Sequence, residues 1–211
     1  MKTIAVDIDD VLAANAENFA KFSNKRWGTN LKADDYSEHW AEMWGISYEE
    51  ESKRRDEIIK AKLFVKHPFF NETKPALRKL AKNYKLVVVS SRGPRIRKDT
   101  IDWLTKEYKD IFSAIHFARI WDDMEKHTLE KLEFTKAEML KQIDADYLID
   151  DQPKHCIAAA EAGITSLLFG DYKWNRDTKL VENMVRVKNW KEVLEYFTHT
   201  NFQSLNVRRK V

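Results

Sequence analysis

The sequence predicts an α/β fold with a Rossmann-like three-layer core built on a parallel sheet. Short apolar runs alternate along the chain with amphipathic segments, several of which begin at a proline. The run Leu86–Val89 contains no polar residue, which is typical of a strand buried on both faces. Strands that alternate with helices in this way indicate a parallel sheet covered by helices on both sides.

The core elements follow one another from the N-terminus. We expect a strand at residues 3–6, a helix that begins at Pro75, a strand at 86–89 and a helix that begins at Pro94. The later elements are a strand at 114–117, a helix over 129–143, a strand ending at Ile149, a helix from Pro153 to Gly163, strands at 164–169 and 184–187, and a helix from Trp190 capped by Asn189 and Glu192.

Residues 15–74 interrupt this alternation. They contain no convincing strand, but they are rich in aromatic residues and include a helix opened by Ser47, with Glu50 as its capping partner. We therefore expect two units. The core comprises residues 1–14 and 75–211, and a small helical unit, residues 15–74, is inserted after the first strand.

Two acids mark the end of the first strand. Asp7 and Asp9 follow the apolar run 4–6, and residues at i and i+2 of a strand point to the same face. Two carboxylates at such a short distance repel each other unless a cation or a shared proton compensates their charge. The pair is therefore either a solvated acidic turn or a catalytic site that holds a divalent metal.

Polar residues also follow two later strands and begin one later helix. Because the C-terminal ends of parallel strands meet at one side of a sheet, these residues and the two acids should converge. A hydroxyl and an ammonium among several carboxylates suit a phosphoryl group bridged to Mg2+. The candidates beyond Asp7 and Asp9 are Ser90, Ser91, Arg92, Lys136, Asp150 and Asp151.

Composition limits the function classes. The 211 residues can bury one good core, and a net charge of +3 argues against a dedicated nucleic-acid binder, although the tail 208–210 is basic. Cys156 is the single cysteine, which excludes an internal disulfide. The apolar runs are too short to cross a bilayer, and residues 1–20 carry acids where a signal peptide would be apolar. We expect a cytoplasmic protein with no membrane partner.

The order of these motifs resembles the haloacid dehalogenase superfamily. Its motifs are an Asp-x-Asp after the first strand, a Ser or Thr after the second, a Lys and a terminal acidic pair. Receiver domains use similar residues, but their lysine comes last, whereas here it precedes the final acids. The closer resemblance is to the 5'(3')-deoxyribonucleotidases, through segments 7–13, 90–92, 148–153, 168–175 and 187–190. Many members carry Gly or Gln where this chain has Asp10.

The resemblance implies roles for the acidic residues. Asp7 attacks phosphorus and forms an aspartyl-phosphate, and Asp9 acts first as general acid and then as general base. The expected cofactor is Mg2+, bound by Asp7, by the backbone carbonyl of Asp9 and by Asp150, with Asp151 as an alternative ligand.

It also implies partners for the phosphoryl group. Ser90, or alternatively Ser91, donates a hydrogen bond, and Lys136, or alternatively Lys131, supplies positive charge. Arg92 either contacts the phosphate or forms a salt bridge at the edge of the site.

The inserted helical unit corresponds in this superfamily to a cap that excludes water and selects the substrate. Its aromatic residues Phe22, Trp40 and Trp44 either stack on a nucleobase or form the core of the small lobe. We expect the substrate to be a small phosphomonoester, a nucleoside or deoxynucleoside monophosphate.

Two alternative functions share this scaffold. A nucleic-acid end (3') phosphatase would use the same site, with the basic segment 92–98 on the phosphate backbone, but a sizeable cap restricts entry of a polymer. A non-catalytic binding module would not need the complete set of motifs. We therefore expect no nucleic-acid partner, and the sequence does not specify an oligomeric state.

Overall fold

A six-stranded parallel sheet forms the centre of the protein. The computed structural model describes residues 1–118 and 135–198. The sheet has the strand order β3-β2-β1-β4-β5-β6, and every neighbouring pair is parallel. The strands are β1 (Thr3–Val6), β2 (Lys85–Ser90), β3 (Ala114–Phe117), β4 (Tyr147–Asp150), β5 (Thr165–Phe169) and β6 (Met184–Val187). The predicted fold class is therefore confirmed.

The strand order places the predicted motifs at the centre of the sheet. From β1 the chain proceeds outward through β2 to β3, and it then crosses to β4 on the other side of β1. The crevice outside the carboxyl ends of two strands at such a reversal is the usual ligand site of an open α/β sheet. The ends of β1 and β4, which carry four of the predicted acids, lie at this point.

Both faces of the sheet are covered, as its apolar strands predict. In β1, Ile4 and Val6 belong to one buried cluster, whereas Ala5 lies in a second cluster on the opposite face. This alternation follows from the two-residue period of a strand. The described helices of the core are α4 (Thr73–Leu80), α5 (Arg97–Glu107), α6 (Lys136–Gln142), α7 (Pro153–Glu161) and α8 (residues 190–198).

Several helix boundaries differ from the predictions. Helix α4 begins two residues before Pro75, and Pro94 opens a 3₁₀ turn, Pro94–Ile96, that leads into α5. The helix expected over 129–143 begins later, at Lys136, and ends at Gln142, while residues 119–134 lie outside the described ranges. Thr135 caps it by accepting a hydrogen bond from the backbone N–H of Glu138.

The segment after β1 is helical, as expected. It contains α1 (Asn15–Trp27), α2 (Trp40–Trp44) and α3 (Tyr48–Lys60), together with two 3₁₀ turns, Ala33–Asp35 and Leu63–Val65. The Ser47 side chain accepts a hydrogen bond from the backbone N–H of Glu50, so the predicted cap of α3 is present. No helix in residues 1–118 or 135–198 is long and apolar enough to cross a membrane.

Candidate active site

Lys136 links the ends of the two central strands. Its Nζ lies 2.6 Å from Oδ1 of Asp7, which follows β1, and 2.6 Å from Oδ2 of Asp150, the last residue of β4. All three side chains are buried. Lys136 reaches this position because it is the first residue of α6, which packs over the sheet beside α7. Charge-assisted hydrogen bonds of this kind are short and strong.

Burial and charge oppose each other in this triad. Burial raises the pKa of Asp7 to about 7, although the Lys136 ammonium opposes that rise. Burial by itself would lower the pKa of Lys136, but the carboxylates of Asp150 and Asp7 raise it above its ordinary value. The lysine therefore remains an ammonium, while one of its acidic partners has a perturbed pKa, as is common at functional sites.

Asp151 completes a cluster of three acids. One carboxylate oxygen each from Asp7, Asp150 and Asp151 lies within 4.8 Å of the others, and all three residues are buried. Burial, followed by the negative charge of Asp150, raises the pKa of Asp151 well above its ordinary value. Its Oδ2 accepts hydrogen bonds of 2.8 Å from Gln152 Nε2 and from Trp174 Nε1.

Arg92 binds the other predicted catalytic acid. Its Nη2 and Nε donate to the two carboxylate oxygens of Asp9 at 2.7 and 3.1 Å, and its Nη1 donates to Thr100 Oγ1 at 3.1 Å. Burial by itself would raise the pKa of Asp9, but the Arg92 guanidinium outweighs it and lowers that pKa. Of the two roles left open for Arg92, the structure shows the salt bridge.

Asp7 and Asp9 thus have different partners. The Asp7 carboxylate faces Lys136 on the β4 side, whereas the Asp9 carboxylate faces Arg92 on the β2 side. The side chain of Asp9 is 32% exposed, so it is the more accessible of the two. The sequence placed both acids on one face of an extended strand, but the strand ends at Val6, and the strand period does not continue to Asp9.

The two candidate serines also differ. Ser90 is fully buried, and its Oγ accepts a hydrogen bond of 3.2 Å from the backbone N–H of Arg92. The Oγ of Ser91 is buried and has no hydrogen-bond partner among the described residues. Both lie at the end of β2, beside Asp9 and Arg92. The alternative lysine, Lys131, lies outside the described residues.

Asp10 has a structural partner that the sequence did not suggest. Its carboxylate accepts the backbone N–H of Ala16, at 3.0 and 3.2 Å, in the first turn of α1. Its backbone φ of 56° lies in the left-handed region, which explains why glycine also suits this position. Burial raises the pKa of Asp10 to about 8. It is neither an exposed loop charge nor a member of the three-acid cluster.

The three aromatic residues considered for substrate contact lie in a cluster within the helical segment. Phe22 packs against Trp27, and Trp40 and Trp44 pack against each other and against Phe19. Within residues 1–118 and 135–198, the ring contacts of Phe22, Trp40 and Trp44 are with other aromatic residues of the helical segment and not with the acidic cluster. Their positions correspond to the alternative in which they form the core of the small lobe.

A loop after β5 supports the acidic cluster. Asn175 is fully buried, and its Nδ2 donates to the backbone carbonyls of Asp151 and Phe169 at 3.0 and 2.8 Å. The ring of Trp174 stacks on Tyr172, with centroids 4.6 Å apart. The sequence places Trp174 and Asn175 in a loop after the strand at 164–169, where they are expected to border the pocket. It gave no signal for these particular contacts, which depend on how the loop folds back.

Three solved structures share this architecture. A haloacid dehalogenase-like family hydrolase from Streptococcus pneumoniae has a TM-score of 0.64 at 18% identity and covers 93% of this chain and 98% of its own. A HAD-superfamily hydrolase of subfamily IA, variant 1, from Geobacter sulfurreducens has a TM-score of 0.59 at 15% identity, with coverage of 93% and 96%.

The third is a D,D-heptose 1,7-bisphosphate phosphatase from B. bronchiseptica, whose structure contains magnesium and phosphate. Its TM-score is 0.57 at 12% identity, with coverage of 95% of this chain and 99% of its own. At such identities the similarity establishes the fold. No curated protein matches the sequence significantly.

The sequence itself establishes the family. Residues 1–202 match the family model for the "5' nucleotidase, deoxy (Pyrimidine), cytosolic type C protein". This match spans nearly all of the 211 residues and confirms the resemblance seen in the motifs. The chain belongs to this nucleotidase family and is a phosphoric monoester hydrolase of the nucleotidase type.

Proposed function

We propose that this protein is a Mg2+-dependent phosphatase that hydrolyses nucleoside and deoxynucleoside monophosphates through an aspartyl-phosphate on Asp7. The observation that carries the proposal is the position of Lys136, which lies 2.6 Å from both Asp7 and Asp150 at the ends of β1 and β4. A buried ammonium beside a buried carboxylate is suited to a reaction in which a dianionic phosphoryl group is brought to an acid.

The residues present fit a divalent cation. If Asp7, Asp150 and Asp151 are ionised, the single ammonium of Lys136 leaves this buried group with a formal charge of −2, while Asp9 is neutralised by Arg92. Buried charge without a counter-ion is costly, and carboxylate oxygens are the ligands that Mg2+ prefers. Asp7, Asp150 and Asp151 would hold the ion, together with the Asp9 backbone carbonyl. When bound, it would reduce repulsion between Asp7 and the phosphate.

The chain's own residues would divide the reaction into two steps. In the first, a carboxylate oxygen of Asp7 bonds to phosphorus, and the ester oxygen leaves with a proton from Asp9. Asp9 is ionised beside Arg92, so it would take up this proton when the negative charge of the bound phosphoryl group raises its pKa. In the second, water attacks the aspartyl-phosphate, gives its proton to Asp9, and phosphate departs. The ammonium of Lys136 and the hydroxyl of Ser90 or Ser91 would stabilise the charge on the phosphoryl oxygens.

We further propose that residues 15–74 act as the cap and that 1–14 and 75–211 form the core. The cap would be held by ion pairs to the core, such as Arg95–Asp56 at 2.6 Å and Lys62–Asp99 at 2.8 Å. The word "cytosolic" in the family description supports a cytoplasmic location.

A nucleic-acid end is less well supported as a substrate. In the basic segment 92–98, Arg92, Arg95 and Lys98 form ion pairs with Asp9, Asp56 and Asp102. These pairs reduce the positive charge that a phosphate backbone requires.

The proposal is tested by measuring phosphate release with and without Mg2+. The substrates are deoxyribonucleotides, ribonucleotides, sugar phosphates and a 3'-phosphorylated oligonucleotide. We expect Mg2+-dependent turnover of the mononucleotides. Asp7→Asn should lower turnover by at least about a thousandfold, because removing a catalytic nucleophile has an effect of this order. Asp102→Asn, which changes an exposed carboxylate in α5, should leave turnover unchanged.

The intermediate is tested separately with Asp9→Asn. Without a base to activate water, this variant should retain one phosphoryl group per chain after mixing with p-nitrophenyl phosphate, whose leaving group needs no proton from Asp9. The phosphoryl group is detectable by mass spectrometry and should be absent from Asp7→Asn. Turnover of the mononucleotides that survives in Asp7→Asn would overturn the assigned nucleophile. Preference for the oligonucleotide with steep dependence on salt would instead indicate a nucleic-acid phosphatase.

A further inference from the structure

A cleft lies where the helical segment meets the loop after β5. It has a volume of about 380 Å3, opens to solvent, and is lined by Asp34, Asp35, Tyr36, Lys173 and Trp174. Pockets for small molecules have volumes of roughly this size or larger. The sequence did not predict this cleft, because its two sides are far apart along the chain.

Trp174 connects the cleft to the acidic cluster. Its indole N–H donates to the carboxylate of Asp151 at 2.8 Å. The indole ring therefore forms a wall shared by the cleft and the site of Asp7, Asp150 and Asp151. Its stacking on Tyr172 and the buried Asn175 that follows it fix the ring in place.

Tyr36 is the wall contributed by the helical segment. Its ring centroid lies 6.1 Å from that of Trp174, with the ring planes at 63°. Its hydroxyl faces the side chain of Asn15, and burial, followed by the charges of Asp9 and Asp10, raises its pKa. The ring therefore extends from the acids that follow β1 to the indole beside Asp151.

Ion pairs hold the two walls together. Arg176 lies 3.4 Å from Asp34, and Lys154 pairs with Glu38. Both pairs join the segment around Tyr36 to parts of the core that follow β4 or β5. The cleft thus has a floor of two half-buried aromatic rings and a rim of charged groups, with carboxylates to accept and an ammonium to donate hydrogen bonds.

We propose that this cleft receives the nucleobase of the substrate, with Tyr36 and Trp174 as the rings that contact it. The inference rests on the proposed nucleotidase function and assigns the base to the Tyr36–Trp174 cleft instead of the Phe22, Trp40 and Trp44 cluster. A flat heterocycle with donors and acceptors on its edge matches an aromatic floor with a charged rim. A sugar phosphate without a base would leave the cleft empty.

The test compares deoxycytidine 5'-monophosphate with deoxyribose 5-phosphate as substrates of each variant. Removing a ring that contacts a base costs about 5- to 150-fold in affinity. We therefore expect Tyr36→Ala to raise KM for the nucleotide by a factor in this range and to leave kcat/KM for the sugar phosphate nearly unchanged. Tyr36→Phe, which keeps the ring, should retain the nucleotide KM.

Trp27→Ala is the matched control. Trp27, like Tyr36, is a half-buried aromatic residue of the helical segment, but it does not line the cleft. It should leave the ratio of the two kcat/KM values at the wild-type value. If Tyr36→Ala does not fold, Tyr36→Leu replaces it, since a branched aliphatic chain fills space but offers no flat face. We expect the same selective loss.

Two results would overturn the inference in different ways. If wild type hydrolyses the nucleotide and Tyr36→Ala weakens both substrates equally, the cleft does not bind the base, although the nucleotidase function stands. If wild type turns over the sugar phosphate and no nucleotide, the proposed substrate class fails, and the base cleft fails with it.

Discussion

Arg92 holds Asp9 by two hydrogen bonds, of 2.7 and 3.1 Å, across the ends of the neighbouring strands β1 and β2. The guanidinium is itself fixed by Thr100, and it lies 5.1 Å from the ring centroid of Phe64 in the helical segment. One buried cation therefore contacts the proposed acid–base residue, the core helix α5 and the segment proposed as the cap. A planar fork of donors is suited to this geometry, which a lysine cannot reproduce.

We expect Arg92→Lys to lower kcat by about 10- to 100-fold with a smaller change in KM. Lysine preserves the charge but not the two-point contact that orients the Asp9 carboxylate, and small displacements of catalytic groups cost about this much. Steady-state kinetics on a mononucleotide would measure the effect. Arg95→Lys, in a half-exposed pair with Asp56, is the control and should be near wild type. A rise in KM alone would indicate that Arg92 binds substrate instead.

Lys136→Met should make stability depend more strongly on Mg2+. Without the ammonium, Asp7 and Asp150 lose the cation that lies 2.6 Å from each. Removing one partner of a buried ion pair costs about 3–5 kcal/mol. A divalent cation would offset part of this loss, so the shift in melting temperature on adding Mg2+ should exceed that of wild type. Lys141→Met, exposed in the last turn of α6, is the control. Equal shifts in all three proteins would contradict the proposed metal site.

Asp10→Asn should remove a pH dependence of stability. Burial raises the pKa of Asp10 to about 8 in the folded protein, compared with about 3.9 in an unfolded chain. At pH values between these two pKa values, the Asp10 carboxyl holds a proton in the folded state but not in the unfolded chain. The contribution of Asp10 is therefore fully present below about pH 4 and is lost as the pH rises through about 8.

Asparagine keeps an oxygen to accept the N–H of Ala16 and tolerates a positive φ, but it carries no titrating proton. The free energy of unfolding of Asp10→Asn should therefore exceed that of wild type at pH 8.5 by on the order of a few kcal/mol. The difference should be smaller at pH 5. Urea unfolding in EDTA at the two pH values measures this, and a difference independent of pH would show that Asp10 is ionised in the folded protein throughout.

Asn175→Ala should destabilise the protein by about 2–4 kcal/mol. The side chain donates to two backbone carbonyls and accepts the backbone N–H of Tyr172 at 3.1 Å, and each buried group left unsatisfied costs about 1–3 kcal/mol. Denaturant unfolding measures the loss. Asp177→Ala, exposed two residues later, should change stability by less than about 0.5 kcal/mol. A near-neutral Asn175→Ala would mean that water replaces these hydrogen bonds.

The strands were predictable from the sequence because their signal is local. The run at 3–6 corresponds to β1, the run at 86–89 to most of β2, and the run at 114–117 to β3. The predicted strand at 184–187 is β6. A strand buried on both faces must be apolar throughout, whatever its neighbours in the sheet. Helix boundaries were less accurate. Pro75 lies inside α4, since proline is tolerated anywhere in the first turn.

The candidate site was predictable only as a set of residues. Asp7, Asp9, Ser90, Asp150 and Lys136 follow or begin elements that the sequence locates, so their convergence follows from parallel strands. Phe22, Trp40 and Trp44 show the limit of this reasoning. An aromatic side chain that packs in a small lobe and one that contacts a ligand have the same sequence signature.

The sequence by itself therefore determined the parallel α/β core, the order of the acidic, hydroxyl and lysine motifs, and the helical character of the segment after β1. The tertiary structure alone decided which side chains meet. Lys136 pairs with Asp7 across 129 residues, Arg92 with Asp9 across 83, and Trp174 with Asp151 across 23. The physical reason is that strand and helix patterns arise from neighbours in the chain, whereas these contacts depend on strand order in the sheet and on how each loop folds back over its edge.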